Sequence, residues 1–278
     1  MAIDYAITLE CEPRRHFGSG NAEQGTIEIL EKLKARDRAS MIREIARTKG
    51  IDLSSQKVTM NVHDREGNPV QKQVTIAELE LEAQALESHA TACVGCPANV
   101  LGEAYGCYAA IHYPISAAGE NWLISRVPPP GTLGAIMCAD YIAEFGVTGG
   151  RSRQLRQAGH FESRQAAKAI VKKGLFKSVS VSSDQLFEAM FLSGNILSPA
   201  HCFGILLWFD AIHVEGAAAG SSEALQSLTQ ADAVQRRAEG TRLDLGAEPG
   251  SPGELAFFTF AKAMYLSWVL DAPLYVSA

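Results

Sequence analysis

Three of the six cysteines in this sequence lie within fifteen residues of one another, and a histidine precedes them. The pattern is His-x3-Cys-x2-Cys-x10-Cys, formed by His89, Cys93, Cys96 and Cys107. A Cys-x2-Cys turn can bring two thiolates to one metal ion, and a third cysteine at this distance can close the loop. If a helix continues through His89, positions 89 and 93 share a face one turn apart. The spacing therefore predicts a four-ligand metal site.

The ligand types favour zinc, because three thiolates and one imidazole form the closed tetrahedral set that is typical of structural zinc sites. The step Cys96-Pro97 also occurs in iron–sulfur loops, which makes an iron–sulfur cluster the alternative cofactor. His112 follows Cys107 closely and competes with His89 for the fourth position. Buried thiols without metal, or a disulfide between Cys93 and Cys96, are the remaining alternatives.

A closed metal site stabilises a segment and leaves no open position for a substrate. We therefore expect a metal-stabilised interaction or assembly protein, whose partner is another protein or a second copy of the chain. The alternative is a redox or radical enzyme that uses an iron–sulfur cluster on the same cysteines. The sequence contains no P-loop, no dinucleotide-binding glycine motif, no Gly-x-Ser-x-Gly and no His-Glu-x-x-His. An enzymatic activity is thus left open and is not the leading hypothesis.

A second concentration of charge lies in residues 151–177, where eight basic residues accompany a single acid, Glu162. Such a segment can bind a phosphate backbone or an acidic protein surface. Aromatic residues for base stacking are scarce there, and the same pattern is also typical of a solvated helix face. The candidate binding residues are Arg151, Arg153, Arg156, Arg164, Lys168, Lys172 and Lys173.

The elements that must position the cysteines follow from the periodicity of the first half. Alternating apolar residues predict a strand over residues 3–11, and apolar spacing predicts a helix over 26–47 that ends at Gly50. Turn residues between two alternating runs predict a hairpin over 58–74, and Thr75 with Glu78 forms a capping box for a second helix. A last strand at 121–127 completes the order βαββαβ. This order predicts an α+β, ferredoxin-like sandwich with the metal knuckle in its second crossover.

The sequence turns helical after the three consecutive prolines at 128–130. We expect helices at 133–145 and 163–173, and Ser198-Pro199 and Ser251-Pro252 are N-cap pairs that start two strongly apolar helices. Helices that are apolar on nearly all sides belong in a core. The sequence therefore predicts an α+β domain over residues 1–128 and a mainly helical domain over 132–278, which can share one core.

Composition limits the classes of protein to which the chain can belong. It has 278 residues, 47% of them hydrophobic, and 31 acids against 25 bases give a net charge of -6. This balance is too apolar for a disordered chain, and its sign disfavours bulk binding of polyanions. No apolar run reaches the roughly 20 residues of a membrane span, and the first sixteen residues lack the apolar stretch of a secretory signal. We therefore expect a cytoplasmic protein that does not bind membranes.

Overall fold

The computed structural model describes residues 2–50, 57–63, 69–173, 177–214 and 233–278. The chain forms two compact units, one of Glu10–Cys96 and one of Met1–Leu9 together with Pro97–Ala278. These bounds differ from the halves 1–128 and 132–278 that the composition suggests.

The helices within the described ranges are α1 (Glu12–Phe17), α2 (Ala22–Lys49), α3 (Ile76–Gln84), α4 (Ala117–Ser125), α5 (Leu133–Glu144), α6 (Gly150–Gln157), α7 (Ser183–Phe187), α8 (Pro199–Trp208), α9 (Ala233–Gly240) and α10 (Pro252–Val269). The strands are β1 (Ala2–Ile7), β2 (Val58–His63), β3 (Pro69–Val74), β4 (Tyr108–His112), β5 (Lys168–Lys173), β6 (Lys177–Ser182), β7 (Ile196–Leu197), β8 (Ile212–Val214), β9 (Thr241–Leu243) and β10 (Leu274–Ser277). A 3₁₀ helix spans Glu87–Cys93, and a π-helical turn, Glu188–Leu192, follows α7.

The unit of Glu10–Cys96 contains the elements that the sequence predicts best. Helix α2 ends where Gly50 takes a left-handed conformation with φ of 64°, and β2 pairs with β3 as an antiparallel hairpin. The predicted capping box of α3 is present, because the side chains and backbone amides of Thr75 and Glu78 bond reciprocally. Its apolar cluster joins α2, β3 and α3 and consists of Ala35, Ala39, Ile42, Val74, Ile76 and Leu79.

The second unit is built on a four-stranded antiparallel sheet with the order β4-β1-β10-β7. Helix α10 packs against α4, α8 and this sheet, and the ring of Phe260 meets Tyr5 of β1 edge-on at 4.9 Å between centroids. Ser198 and Ser251 cap α8 and α10 as predicted. In none of the described ranges is a helix both long enough and apolar enough to cross a membrane.

The ferredoxin-like prediction is wrong. Residues 117–125 form α4 instead of a final strand, because the Ser116 side chain accepts from the amide of Gly119 and so starts a helix that buries Trp122 and Leu123. Within the described residues β2 and β3 pair only with each other, while β1 takes its neighbours from β4 and from the distant β10. The four strands of a ferredoxin-like sheet are therefore not assembled.

The helix predicted over residues 163–173 is also wrong, since residues 168–173 form β5. The β-branched Ile170 and Val171 favour an extended chain, and β5 pairs in register with β6, with Val171 opposite Val179. Val171 and Val181 are fully buried while Ile170 is 64% exposed, as expected for a hairpin with one face on a core. The second half thus contributes strands as well as helices, and its basic residues are divided among a helix, a loop and a strand.

Candidate functional site

The predicted metal knuckle is not shown by the part of the chain that the structure describes. Residues 87–93 make a 3₁₀ helix, in which three residues complete a turn. Positions four apart, such as His89 and Cys93, therefore point about 120° apart instead of sharing a face. Nδ1 of His89 lies 2.8 Å from Oε1 of Glu12 on α1, so this imidazole is engaged by a carboxylate.

The other predicted ligands differ in their exposure to solvent. Cys93 and Cys107 are buried, Cys96 is half-buried, and His112 is exposed at the end of β4. Across the described ranges, the structure contains no group of three or more histidine, cysteine, aspartate or glutamate side chains that could hold a metal ion. Zinc, and the iron–sulfur cluster as its alternative, stay predictions from the sequence.

Two further cysteines are unsuited to nucleophilic chemistry. Cys138 on α5 and Cys202 on α8 are fully buried, and burial raises the pKa of each thiol to about 12. Ser267 donates a hydrogen bond to Sγ of Cys202 at 3.6 Å. At neutral pH both residues are therefore protonated core side chains.

The basic segment forms a pocket, which we call the basic pocket. It has a volume of about 770 Å³ and is lined by parts of α6, the loop 159–166, β5 and the start of α7. Its charged lining residues are Arg153, Arg156, Arg164, Lys168, Glu162 and Asp184. Four cations and two carboxylates give this lining a formal charge of +2. Four of the seven predicted binding residues thus lie around one cavity.

Helix α6 places two of these arginines. It starts at Gly149, whose φ of 74° is left-handed, and a Cβ there would lie 2.9 Å from Cβ of Asp184. Arg153 is exposed and donates from Nη1 to the carbonyl of Thr148 at 2.8 Å. Arg151, by contrast, does not line the pocket, because its amide donates to Oε2 of Glu188 at 3.0 Å and its guanidinium donates to the carbonyl of Leu192.

Arg156 is the centre of a buried ion-pair network. Its Nη1 and Nη2 donate to Oε2 and Oε1 of Glu120 at 3.0 and 2.6 Å, a bidentate arrangement. Nε and Nη2 donate to Oδ1 of Asp184 at 3.2 and 2.7 Å, and Nη1 also donates to the carbonyl of Ser163 at 2.7 Å. Burial lowers the pKa of Arg156, but its hydrogen bonds to Glu120 and Asp184 outweigh burial and raise the pKa above its ordinary value. We refer to Arg156, Glu120 and Asp184 as the Arg156 network.

Neither acid of this network is among the site residues that the sequence predicts. Glu120 lies in the first turn of α4, within the stretch interpreted as leading into a strand. Asp184 lies in the first turn of α7, where Ser182 and Gln185 form the capping box. Ser183 then joins the two, since its hydroxyl donates to Oε1 of Glu120 at 2.9 Å. The capping spacing of Ser182 and Gln185 was the one local signal that could have located Asp184.

The rim of the pocket carries the cations that a ligand can reach. Arg164 and Lys168 are exposed, and no hydrogen bond or ion pair engages either side chain in the part of the chain that the structure describes. Glu162, also on the rim, accepts from the amide of Ala117 at 3.0 Å. Lys172 and Lys173 belong to β5, but their side chains lie outside the described part of the structure.

Comparison with protein-family models, with curated proteins and with solved structures gives no match. The chemistry of the site therefore has to be argued from its geometry. Two exposed cations that have no partner among the described residues can bind an anion by charge-assisted hydrogen bonds. Phe161 also lines the pocket, and Cζ of Arg156 lies 4.1 Å from the centroid of the Phe161 ring. Because Phe161 is only 6% exposed, its ring is not available to stack on a ligand.

Proposed function

We propose that the protein is a binding protein for a small phosphate-bearing ligand and that the basic pocket is its binding site. The observation that carries this proposal is the pair of exposed cations, Arg164 and Lys168, which have no partner among the described residues and share the rim of one cavity. Arg153 contributes a third positive charge to the same lining. Phosphate suits this arrangement because it accepts several charge-assisted hydrogen bonds at once.

The dimensions favour a small molecule over a nucleic acid. A volume of about 770 Å³ falls within the range of about 300–1,000 Å³ that is typical of small-molecule sites. Single-stranded nucleic acids are bound by basic grooves with exposed aromatic side chains, whereas Phe161 is buried. Nucleic-acid binding through residues 151–177 is therefore the weaker form of the proposal, and it becomes an outcome of the test.

Calorimetric titration of the full chain with ethyl phosphate tests the proposal. Replacing both Arg164 and Lys168 with glutamine removes two charge-assisted hydrogen bonds, each contributing about 1.5 kcal/mol or more. We therefore expect the dissociation constant to rise about 100-fold or more. The double variant Arg242→Gln, Lys262→Gln makes the same change in net charge outside the pocket and should bind as the wild type does.

Two results would contradict the proposal. One is the absence of ethyl phosphate binding at low salt, and the other is binding that the Arg164 and Lys168 substitutions leave intact. A single-stranded oligonucleotide is titrated in parallel. If it binds and ethyl phosphate does not, the basic segment serves a nucleic acid and the small-molecule proposal is wrong.

The other functional expectations from the sequence stay predictions. These are a protein partner or second copy of the chain, a redox or radical activity on the cysteines, and a cytoplasmic location. No observation on the described residues favours a redox or radical activity over anion binding.

A further inference from the structure

The buried side of the basic pocket, which we call its floor, is formed by the Arg156 network, of which Arg156 and Asp184 line the pocket. In the Arg156 network one guanidinium faces two carboxylates, so the formal charge is -1. Glu120 is 2% exposed and Asp184 is 3% exposed. The attraction between opposite charges is stronger where the surroundings exclude water. A complementary positive group in the pocket would therefore be stabilised there.

Arg156 itself cannot serve as a phosphate anchor. Its guanidinium has five N–H groups, and five hydrogen bonds to Glu120, Asp184 and Ser163 use its three nitrogens completely. Arg156 thus fixes the positions of Glu120 and Asp184, while Arg164 and Lys168 at the rim are the cations that can bind an anion. This separates the pocket into a negative floor and a positive rim.

Asp184 presents the open acceptor of the floor. Oδ1 accepts both bonds from Arg156, whereas Oδ2 has no hydrogen-bond partner in the described parts of the chain. Neither Arg164 nor Lys168 lies within 4.0 Å of a carboxylate oxygen of Asp184. Because Asp184 lines the pocket, this oxygen can accept a hydrogen bond from a ligand, and a cationic donor gives the stronger bond.

We propose that the ligand is a small zwitterion, a phosphate ester that also carries a primary ammonium group. The phosphate binds Arg164 and Lys168 at the rim, and the ammonium donates to Oδ2 of Asp184 at the floor. This inference rests on the proposed function and adds the second recognition group. The ligand thereby satisfies both signs of charge that the pocket presents.

Calorimetry with matched ligands tests the ammonium group. The probes are ω-aminoalkyl phosphates with two, three and four carbons, each compared with the hydroxyalkyl and the n-alkyl phosphate of the same length. At the spacer length that fits the pocket, we expect the amine to bind at least 10-fold more tightly than both counterparts. Equal affinity within each set at every length would overturn the inference and leave the proposed function standing. Failure of all the phosphates to bind would overturn the proposed function itself.

Asp184→Asn tests the assignment to the floor. Its amide oxygen can still accept from Arg156, but the negative charge is removed. The preference for the amine should fall below about 2-fold, and n-alkyl phosphate should bind somewhat more tightly because a repulsive charge is gone. Asp271→Asn makes the same chemical change at an exposed residue that pairs with Arg237 at 3.0 Å, and it should keep the preference. An unchanged preference in Asp184→Asn would overturn the assignment.

A second measurement needs no substitution and so does not depend on the folding of the variant. Trimethylation of the ligand amine keeps its positive charge but removes every N–H donor. We expect the trimethylated ligand to bind at least 10-fold more weakly than the primary amine of the same length. If it binds as tightly as the primary amine, the ammonium does not donate to Asp184 and the inference is wrong.

Discussion

Replacing Arg156 with methionine removes the positive centre of the Arg156 network and keeps most of the packing of the side chain on Phe161. Glu120 and Asp184 then face each other as buried carboxylates without a cation. Removing one partner of a buried ion pair costs about 3–5 kcal/mol, because the charge left behind is uncompensated. In a unit of this size each kcal/mol lowers Tm by about 2–4 °C. We therefore expect Tm to fall by about 6–20 °C.

Urea denaturation followed by tryptophan fluorescence measures this cost. The three tryptophans, at positions 122, 208 and 268, all lie in the unit that contains Pro97–Ala278, so their fluorescence reports on the unit that holds the network. The midpoint should fall at neutral pH with little change in the slope. A loss below 1 kcal/mol in Arg156→Met would refute the reasoning that the carboxylates depend on this guanidinium.

A triple variant separates lost charge compensation from lost packing. Substituting Arg156 with methionine and both Glu120 and Asp184 with leucine removes the cation together with the anions that depend on it. Replacing a whole buried ion-pair network by apolar residues is often neutral or stabilising. The triple variant should therefore regain most of the stability that the single variant loses. If it is no more stable than Arg156→Met, the cost lies in packing and not in orphaned charge.

Two further substitutions give separate checks. Gly149→Ala should destabilise the protein by about 1–2 kcal/mol because the residue has a left-handed conformation, and by more because its new Cβ would lie 2.9 Å from Asp184. Gly146 also has a positive φ, of 61°, but no atom of the described residues lies near the position of its Cβ. Gly146→Ala should therefore show only the first of these two costs in the same urea assay. Burial lowers the pKa of His201, so between that lowered value and about 6.5 the unfolded chain binds the proton and the folded chain does not. The contribution of His201 to stability should therefore be complete above pH 6.5 and fall below it. Between pH 7.5 and pH 5, His201→Gln should lose less stability than the wild type. An equal loss in the two proteins would contradict this assignment to His201.

Three helices begin at local caps that the sequence predicts. Thr75 with Glu78, Ser198-Pro199 and Ser251-Pro252 each start the helix that their spacing indicates. The physical reason is that a cap satisfies backbone amides within three residues, so its signal does not depend on tertiary contacts. The same property explains why α3, α8 and α10 begin where the sequence indicates.

Short apolar runs were assigned wrongly because their periodicity does not decide between helix and strand. Residues 121–127 belong mainly to α4, which is fixed by the cap at Ser116 and by packing on α10. Residues 168–173 form β5 because β6 supplies a partner strand with matching valines. In both cases the deciding contact is made by residues outside the run, and the periodicity of the run itself contains no information about them.

His89 and Cys93 do not share a face, and the reason lies in the local backbone geometry. The four-residue spacing of His89 and Cys93 indicates a shared face only if the backbone is α-helical. A 3₁₀ helix has the same composition signals but a shorter turn, and it rotates the two side chains apart. Glu12, which engages His89, is 77 residues away in the sequence. No spacing rule could have identified it.

The charge of residues 151–177 along the sequence is larger than the charge that the folded segment presents, because the sequence shows neighbours along the chain and not the acids that fold against them. Eight cations in residues 151–177 against one acid give a formal local charge of +7. In the structure Arg156 is neutralised by Glu120 and Asp184, from segments 36 residues before it and 28 after it. In the proposed binding mode, a ligand meets the exposed cations Arg164 and Lys168 and the buried carboxylate of Asp184. Recognition by such a pocket depends on the separation of the two signs of charge within one cavity, and no count of charges along the chain contains that information.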